Sequence, residues 1–100
     1  MPKKTVYLSQ AFETWFKALK DRVGRARIQA RLDRLEDGHS GDCQVIGDGV
    51  SELRVHYGPG YRIYFTEKND EVVILLVGGT KGSQARDISR AKKMAQEHRT

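Results

Sequence analysis

Residues 52–88 of this chain read ELRVHYGPGYRIYFTEKNDEVVILLVGGTKGSQARDI, and this stretch decides the fold. Apolar and polar residues alternate on both sides of its Gly-Pro-Gly sequence, which predicts two antiparallel strands joined by a tight turn. If the loop has three residues, His56 lies opposite Arg62 and Arg54 lies opposite Tyr64, all on one face. The apolar face of this hairpin is then expected to pack on helices.

The apolar run 71–77, EVVILLV, predicts a central strand that is buried on both faces. Running antiparallel to the preceding strand, it returns close to Arg62, where the glycine-rich turn GGTKG begins. Ser83 follows and is expected to cap a final helix over about residues 84–97. Lys81 is therefore expected near Arg62, beside a helix amino terminus whose free N–H groups favour an anion.

The first half of the chain predicts a short strand and two helices. Residues 3–8 have strand character, Ser9 can cap the first helix, and Gly24 falls where one helix would end and the next begin. Residues 38–49 are rich in glycine and predict a loop, or a short irregular strand around residues 43–46. Core packing is expected for Phe12, Trp15, Phe16 and Leu19 in the first helix and for Ile28, Leu32 and Leu35 in the second.

Arginines form ridges on two predicted helices. The second helix carries three at helical spacing, displaced by about 100° from its apolar side, and the last helix carries others on its outer face. Such ridges are either solvated surface or contacts for RNA or an acidic partner. The candidate RNA-binding residues are Arg27, Arg31, Arg34, Arg86 and Arg90.

Composition limits the class of protein. One hundred residues, 38% of them hydrophobic, predict a single domain over residues 1–100. A net charge of +5 favours polyanion partners, of which nucleic acid is the commonest. No apolar run approaches the roughly 20 residues that span a bilayer, and the first residues lack a signal-peptide pattern. A single cysteine, Cys43, agrees with a reducing compartment, so a soluble cytoplasmic protein without membrane contact is expected.

The residue pattern favours chemistry without a metal or cofactor. The three histidines lie in different contexts, no carboxylates gather at ligand spacing, and GGTKG is no nucleotide-binding Walker A loop. Arg62, Arg54 and Lys81 can hold a phosphate and its developing charge. His56 carries the side-chain type most often used as a general acid or base, and Tyr64 can move a proton if the surrounding cations lower its pKa. Metal-independent RNA cleavage is therefore one candidate reaction.

From residue 52 to about residue 97, the chain closely resembles the RelE/HigB superfamily of bacterial and phage toxins, in the branch called addiction module killer proteins. The signature stretches are ELRVHYGPGYRIYF, GGTKGSQARDI and AKKMA. The resemblance implies an α+β domain, with two N-terminal helices and a C-terminal helix packed on one face of an antiparallel sheet. It also implies a ribosome-dependent mRNA endonuclease that inhibits translation and is neutralised by a neighbouring antitoxin, often one with a helix-turn-helix domain.

The resemblance also implies roles for single residues. Arg62 matches the arginine of the family that contacts the scissile phosphate, and Arg54 and Lys81 match basic positions whose placement varies between branches. Some relatives have a catalytic tyrosine near the carboxyl terminus, where this chain has Ile88 and no tyrosine. Either Tyr64 or His56 replaces it, or the chain is a slow or inactive nuclease.

Two alternatives to a nuclease remain open. The chain can bind RNA or the ribosome through the same basic face without cutting, because phosphate contacts alone give salt-dependent binding. It can also act with its antitoxin as a transcriptional co-repressor, reaching operator DNA only through that partner.

Overall fold

The computed structural model describes residues 3–98. One strand and two helices come first, four strands follow, and a helix ends the chain order. In chain order they are β1 (Thr5–Leu8), α1 (Gln10–Ala18), α2 (Arg22–Glu36), β2 (Cys43–Gly47), β3 (Val50–Val55), β4 (Tyr61–Lys68), β5 (Val72–Thr80), a 3₁₀ turn (Lys81–Ser83) and α3 (Gln84–Glu97).

The five strands form one sheet in the order β1-β5-β4-β3-β2. The predicted α+β class is confirmed, and the apolar strand β5 has a neighbour on each side, although β4 lies at the centre. The prediction of a wholly antiparallel sheet is wrong at one pair, because β1 runs parallel to β5. Parallel neighbours require a long connection, and here the chain forms two helices and three strands between β1 and β5.

Helices cover both faces of the sheet, so the expectation that all of them pack on one face is wrong. On one face α1 and α2 bury Phe12 and Ile28 against Ile63 of the central strand. On the other, α3 buries Ala91 and Ala95 against a cluster that includes Tyr64. Small alanines let a helix approach a sheet closely. Helix α3 therefore covers the face that carries the candidate chemistry.

The hairpin of β3 and β4 has a longer loop than the sequence indicates. Val55 pairs with Tyr61, so five residues rather than three connect the strands, and Arg54 pairs with Arg62. The extra residues close a local turn in which the amide of Gly60 donates to the carbonyl of Tyr57 at 3.0 Å. The predicted pairing of the two strands was therefore wrong by two residues. Arg54, Arg62 and Tyr64 still lie on the predicted face, because a shift of two residues preserves the alternation of side chains.

Strand β5 contains a bulge and extends further than predicted. Phe65 pairs with Leu75 and Tyr64 pairs with Val77, so Leu76 has no partner on β4. Gly78, Gly79 and Thr80 were expected to begin a turn, but they are the last three residues of β5, which ends at Thr80. A methyl group on Gly78 would lie 2.2 Å from the ring of Trp15. Glycine is required there by close packing rather than by a turn.

Of the three expected helix starts, one is confirmed and two are wrong. Ser83 precedes α3 but does not cap it, because its hydroxyl donates to Asp87 and accepts from the Thr80 amide at 3.2 Å. Ser9 caps α1, since its hydroxyl accepts from the amide of Phe12 at 3.0 Å.

Gly24 does not separate two helices: it lies inside α2, whose cap Asp21 accepts from the Gly24 amide at 2.9 Å. A methyl group on Gly24 would lie 2.6 Å from Tyr61, whose hydroxyl donates to Asp21. Gly24 thus makes room for a contact between helix and sheet.

Candidate active site on the basic face

Arg62 lies on β4 under α3, with only 7% of its surface exposed. Its Nε and Nη1 atoms are buried and have no hydrogen-bond partner within residues 3–98. Burying a charged donor without a partner costs free energy, so such groups are rare in structural positions. The side chain is therefore held in a position suited to an anion that would supply the missing acceptors.

Lys81 lies beside Arg62, as the sequence predicts. Its amide donates to the carbonyl of Gly60 at 2.8 Å, and Arg62 pairs with Gly79 across the sheet. A methyl group on Gly60 would lie 3.5 Å from Lys81 Cβ and 3.9 Å from Arg62 Nη1. Gly60, with a φ of 77°, leaves this space between the two cations open. Since Lys81 is exposed, a ligand can reach it from solvent.

His56 and Arg54 meet at a carboxylate that the sequence did not single out. Nε2 of His56 contacts Asp42 Oδ2, and Nη2 of Arg54 lies 3.3 Å from Asp42 Oδ1. The hydrogen bond with His56 lowers the pKa of Asp42, and the charge of Arg54 lowers it further. A carboxylate that orients an exposed imidazole is a common way to prepare a general base.

We refer to Arg54, Arg62 and Lys81, together with the Asp42–His56 pair, as the basic face. Arg54 and Arg62 are direct neighbours across β3 and β4, and Lys81 follows the end of β5, the next strand. His56 lies in the loop immediately after β3, two residues beyond Arg54, rather than opposite Arg62. The structure therefore brings together Arg54, Arg62 and Lys81, the predicted phosphate ligands. His56 is linked to them indirectly, because Asp42 contacts both His56 and Arg54.

Tyr64 is not placed as the sequence led us to expect. It is fully buried, and its hydroxyl has no hydrogen-bond partner in the described part of the chain. Burial and the negative charge of Glu52 raise the pKa of Tyr64 and outweigh the lowering by Arg62, so the condition for a proton-transfer role, a lowered pKa, is not met. Tyr64 packs in the core beneath α3, which gives it no route to a substrate in this arrangement.

Glu52 is a buried carboxylate on the same face of the sheet. Its Oε2 accepts from Gln84 Nε2 at 2.7 Å, and its Oε1 lies 3.9 Å from Arg54 Nε. Paired with Tyr64 across the strands, it is 1% exposed. Glu52 therefore ties the start of α3 to the sheet and supplies negative charge beneath the arginines.

A cleft of about 300 Å³ adjoins the basic face between α1 and α3. Trp15 lines one side, and Arg86 and Arg90 line the other. At its base Asp87, 6% exposed, accepts from the hydroxyl of Ser83. Two of the candidate RNA-binding arginines therefore line a cleft that also includes Gly79, the residue that pairs with Arg62 across the sheet.

The three arginines of α2 have different surroundings, so they do not form one solvated ridge. Arg27 stacks over the ring of Tyr57, with its guanidinium carbon 4.6 Å from the ring centre. Arg31 donates to the carbonyls of Arg54, at 2.6 Å, and Ser40, at 3.1 Å. Arg34 is exposed. Arg31 is thus bound to the loop before β2, while Arg27 and Arg34 keep the exposure that RNA contact requires.

Asp42, Glu52 and Asp87 escaped the sequence interpretation because acidic residues give no signal at a site expected to bind an anion. Only Glu52 shows a pattern, since it alternates with Arg54 on one face of β3.

Burial raises the pKa of the Cys43 thiol, which disfavours the reactive thiolate.

No cluster of three or more side chains suited to a metal ion occurs between residues 3 and 98. Over the same residues, none of the helices has the length and apolar character needed to cross a bilayer.

Comparisons with known proteins agree with this fold and place the chain in a family. A protein of Haemophilus influenzae, described only as uncharacterized, is 45% identical over 86 residues, which cover 86% of this chain and 87% of that one. A double arginine mutant of the E. coli toxin RelE in the free state shares the fold, with a TM-score of 0.75 and 15% identity, over 92% of this chain and 97% of that one.

The model of the family described as "Phage derived protein Gp49-like" matches residues 14–98. This match covers most of the chain and includes the basic face, α2 and α3. The resemblance to the RelE/HigB superfamily is thereby confirmed, and the chain belongs to the Gp49-like family.

Proposed function

We propose that this protein is the toxin of a type II toxin–antitoxin system and that it inhibits translation by cutting mRNA on the ribosome. The observation that carries the proposal is the buried guanidinium of Arg62, whose Nε and Nη1 lack acceptors beside the exposed Lys81. Two phosphate oxygens could accept hydrogen bonds from these unpaired donors, because guanidinium and phosphate form paired hydrogen bonds.

The residues of the basic face can supply each requirement of RNA cleavage. His56, oriented by Asp42, takes the proton of the ribose 2′-hydroxyl, and the 2′-oxygen then attacks the adjacent phosphorus. Arg62 and Arg54 stabilise the charge that develops on the phosphate oxygens. The bond between phosphorus and the 5′-oxygen breaks as the new bond forms; Lys81 donates a hydrogen bond to the departing 5′-oxygen, which takes its proton from water. The products are a 2′,3′-cyclic phosphate and a 5′-hydroxyl, and no metal or cofactor takes part.

We further propose that the ribosome and mRNA are the working partners, in the cytoplasm. A cognate antitoxin, of the helix-turn-helix type that the resemblance implies, would neutralise the toxin and connect it to operator DNA. The exposed arginines, Arg27, Arg34, Arg86 and Arg90, would add phosphate contacts around the basic face. The net charge of +5 supports such docking.

The test is brief induction in a bacterial host, followed by growth measurement and mapping of mRNA 5′ ends. Wild type is compared with Arg62→Met and with Lys93→Ala, which removes an exposed lysine of α3 outside the basic face. Arrest with new in-frame cuts, lost in Arg62→Met and kept in Lys93→Ala, supports the nuclease. Normal growth with intact messages contradicts it.

A second function, RNA or ribosome binding without cleavage, is favoured by one observation. Tyr64 is buried, and the family position that carries a tyrosine in some relatives has Ile88 here. Sedimentation of the protein with ribosomes separates the two functions. If Arg62→Met ends cleavage but still sediments with ribosomes, the wild type is a nuclease; if wild type binds and never cuts, it is a binder.

A further inference from the structure

Strand β1 is an edge strand with one side open. The amides of Thr5 and Ser9 donate to carbonyls next to and within β5, at 2.8 and 2.9 Å. In a parallel ladder alternate residues point their N–H and C=O groups the other way, so those of Lys4, Val6 and Leu8 face outward. The amide of Lys4 already donates to the carbonyl of Glu36 at 2.7 Å, so the open part of the edge runs from Val6 to Leu8. Among the described residues no strand pairs with this side of β1.

This edge has only part of the usual protection against pairing, because β1 is short, at four residues, but has no charged residue, proline or bulge within it. Natural edge strands carry charges, proline or bulges, which prevent another chain from adding to the sheet. In β1 the exposed side chains are instead Tyr7, at 57%, and Leu8, at 45%. A sheet edge with free backbone N–H and C=O groups beside apolar side chains can bind an extended peptide as an added strand.

An apolar slot of about 170 Å³ lies directly beside the open edge, between β1 and the two N-terminal helices. Its walls are Val6, Leu8, Phe12, Phe16 and Leu32. The volume is several times the roughly 30 Å³ share of one water molecule, so it accepts one large apolar side chain. A strand added to β1 would point alternate side chains toward this face.

The rim of the slot is acidic, although the chain as a whole is basic. Asp33 and Glu36 of α2 lie at the slot. Lys3 lies 3.9 Å from Glu36, but both side chains are largely exposed, so this pair contributes little. Negative charge disfavours a phosphate backbone and favours lysine or arginine. The occupant that fits is therefore a peptide rather than RNA.

We propose that β1 and the slot bind an extended segment of a partner protein as an additional strand. The segment has an apolar side chain for the slot and a basic residue two positions away, on the same face, for Asp33 and Glu36. The site lies about six residues along β5 from Lys81, or roughly 20 Å. The inference therefore does not depend on RNA cleavage, and both surfaces can be occupied together.

A second copy of this chain fits the site less well. In and next to β1, the one pair of a basic and an apolar residue two positions apart is Lys4, just before the strand, and Val6. Val6 already packs against the core of its own chain, and Lys4 is paired with Glu67 at 2.7 Å. Self-association through β1 would break both contacts.

The experiment selects peptides from a phage library of random dodecapeptides against the full chain. Recovered peptides are synthesised and titrated into ¹⁵N-labelled protein. We expect an alternating apolar-x-basic pattern and shifts of the Val6 and Leu8 amides. Asp33→Lys combined with Glu36→Lys should weaken binding at least tenfold. Val45→Lys, on the opposite edge strand, where Val45 is 79% exposed, is the matched control and should have no effect.

Backbone methylation provides the second test. N-methyl groups on the peptide residues that face β1 should abolish binding, whereas N-methyl groups on the alternate residues should be tolerated. The proposal is overturned if no peptide is enriched, if the shifts map to β2 or the basic face, or if methylation at both sets has the same effect. Shifts of the β1 amides on dilution, or on adding an RNA oligonucleotide, also overturn it. Arg62→Met should bind the peptides like wild type, which separates this result from the nuclease.

Discussion

Arg54 and Arg62 lie directly opposite each other on β3 and β4, and only Arg54 has ion-pair partners among residues 3–98. Like charges at paired positions destabilise a sheet, and the buried arginine adds the cost of its unmet hydrogen bonds. This arrangement makes sense for a ligand site rather than for stability. The basic face therefore destabilises the folded state, and an anion bound there, as proposed, would offset that cost.

Replacing Arg62 by Met should stabilise the protein and remove its activity. Met keeps the unbranched chain but has no buried charge, so we expect the free energy of unfolding to rise by about 1–3 kcal/mol. Urea unfolding together with an mRNA cleavage assay measures both effects. A mutant that is less stable than wild type would show that Arg62 has structural partners and would weaken its assignment to the phosphate.

His56→Gln and Asp42→Asn should each slow cleavage, and their effects should not add. Loss of a general base costs roughly 10²-fold or more, and loss of its orienting carboxylate should cost less. A double-mutant cycle on the cleavage rate measures the coupling. Fully additive effects would contradict a working pair.

The Asp42–His56 contact should also make stability depend on pH. Because the pKa of Asp42 is lowered in the folded protein, its carboxylate stabilises the fold above its ordinary pKa of 3.8. This contribution is lost as the pH falls through the lower folded-state value. Thermal unfolding of wild type and Asp42→Asn between pH 2 and pH 6 should therefore converge at the acidic end and diverge above it.

Tyr64→Phe should keep cleavage activity. The hydroxyl is buried without a partner, so its removal should leave stability unchanged or raise it by about 1 kcal/mol. Tyr64→Ala is the contrasting variant and should lose about 3–5 kcal/mol, because it empties the space under α3. Chemical unfolding and cleavage rates are the measurements. A loss of activity in a well-folded Tyr64→Phe would restore a proton-transfer role for this residue.

Alanine at Gly79 should destabilise the protein, whereas alanine at Gly82 should not. A methyl group at Gly79 would lie 1.9 Å from Asp87 Oδ2, but at Gly82 the nearest atom is 3.6 Å away. Overpacking of this kind typically costs about 1–3 kcal/mol. Equal melting temperatures for the two variants would show that α3 moves away freely.

Arg31→Ala and Arg34→Ala should separate structure from RNA binding. Arg31 holds backbone carbonyls and should lose about 1.5–3 kcal/mol of stability, while Arg34 is exposed and should lose almost none. Arg34→Ala should instead reduce the salt dependence of RNA binding by about one phosphate contact. Unfolding and binding titrations at several salt concentrations distinguish the two effects.

Periodicity predicted most of the strands and α3 over residues 84–97, because these features repeat locally, while the class of the fold followed from the resemblance to the toxin superfamily. The expected nearness of Lys81 to Arg62 was also correct, since it follows from the antiparallel pairing of β4 and β5. The sequence could not predict the five-residue loop that moves His56 out of the ladder. Nor could it predict the burial of Tyr64, because that burial depends on packing by α3, which is distant in sequence.

The bulge at Leu76 makes the length of β5 a condition for function. Because it shifts the alternation by one, Gly78 faces Trp15 and Gly79 faces Asp87, and the chain then reaches Lys81 on the correct side. A single deletion there would exchange the two faces. In related genes we therefore expect insertions and deletions in the turn between β2 and β3, while β5 stays constant in length; a gap within it would mark a descendant that has lost the site.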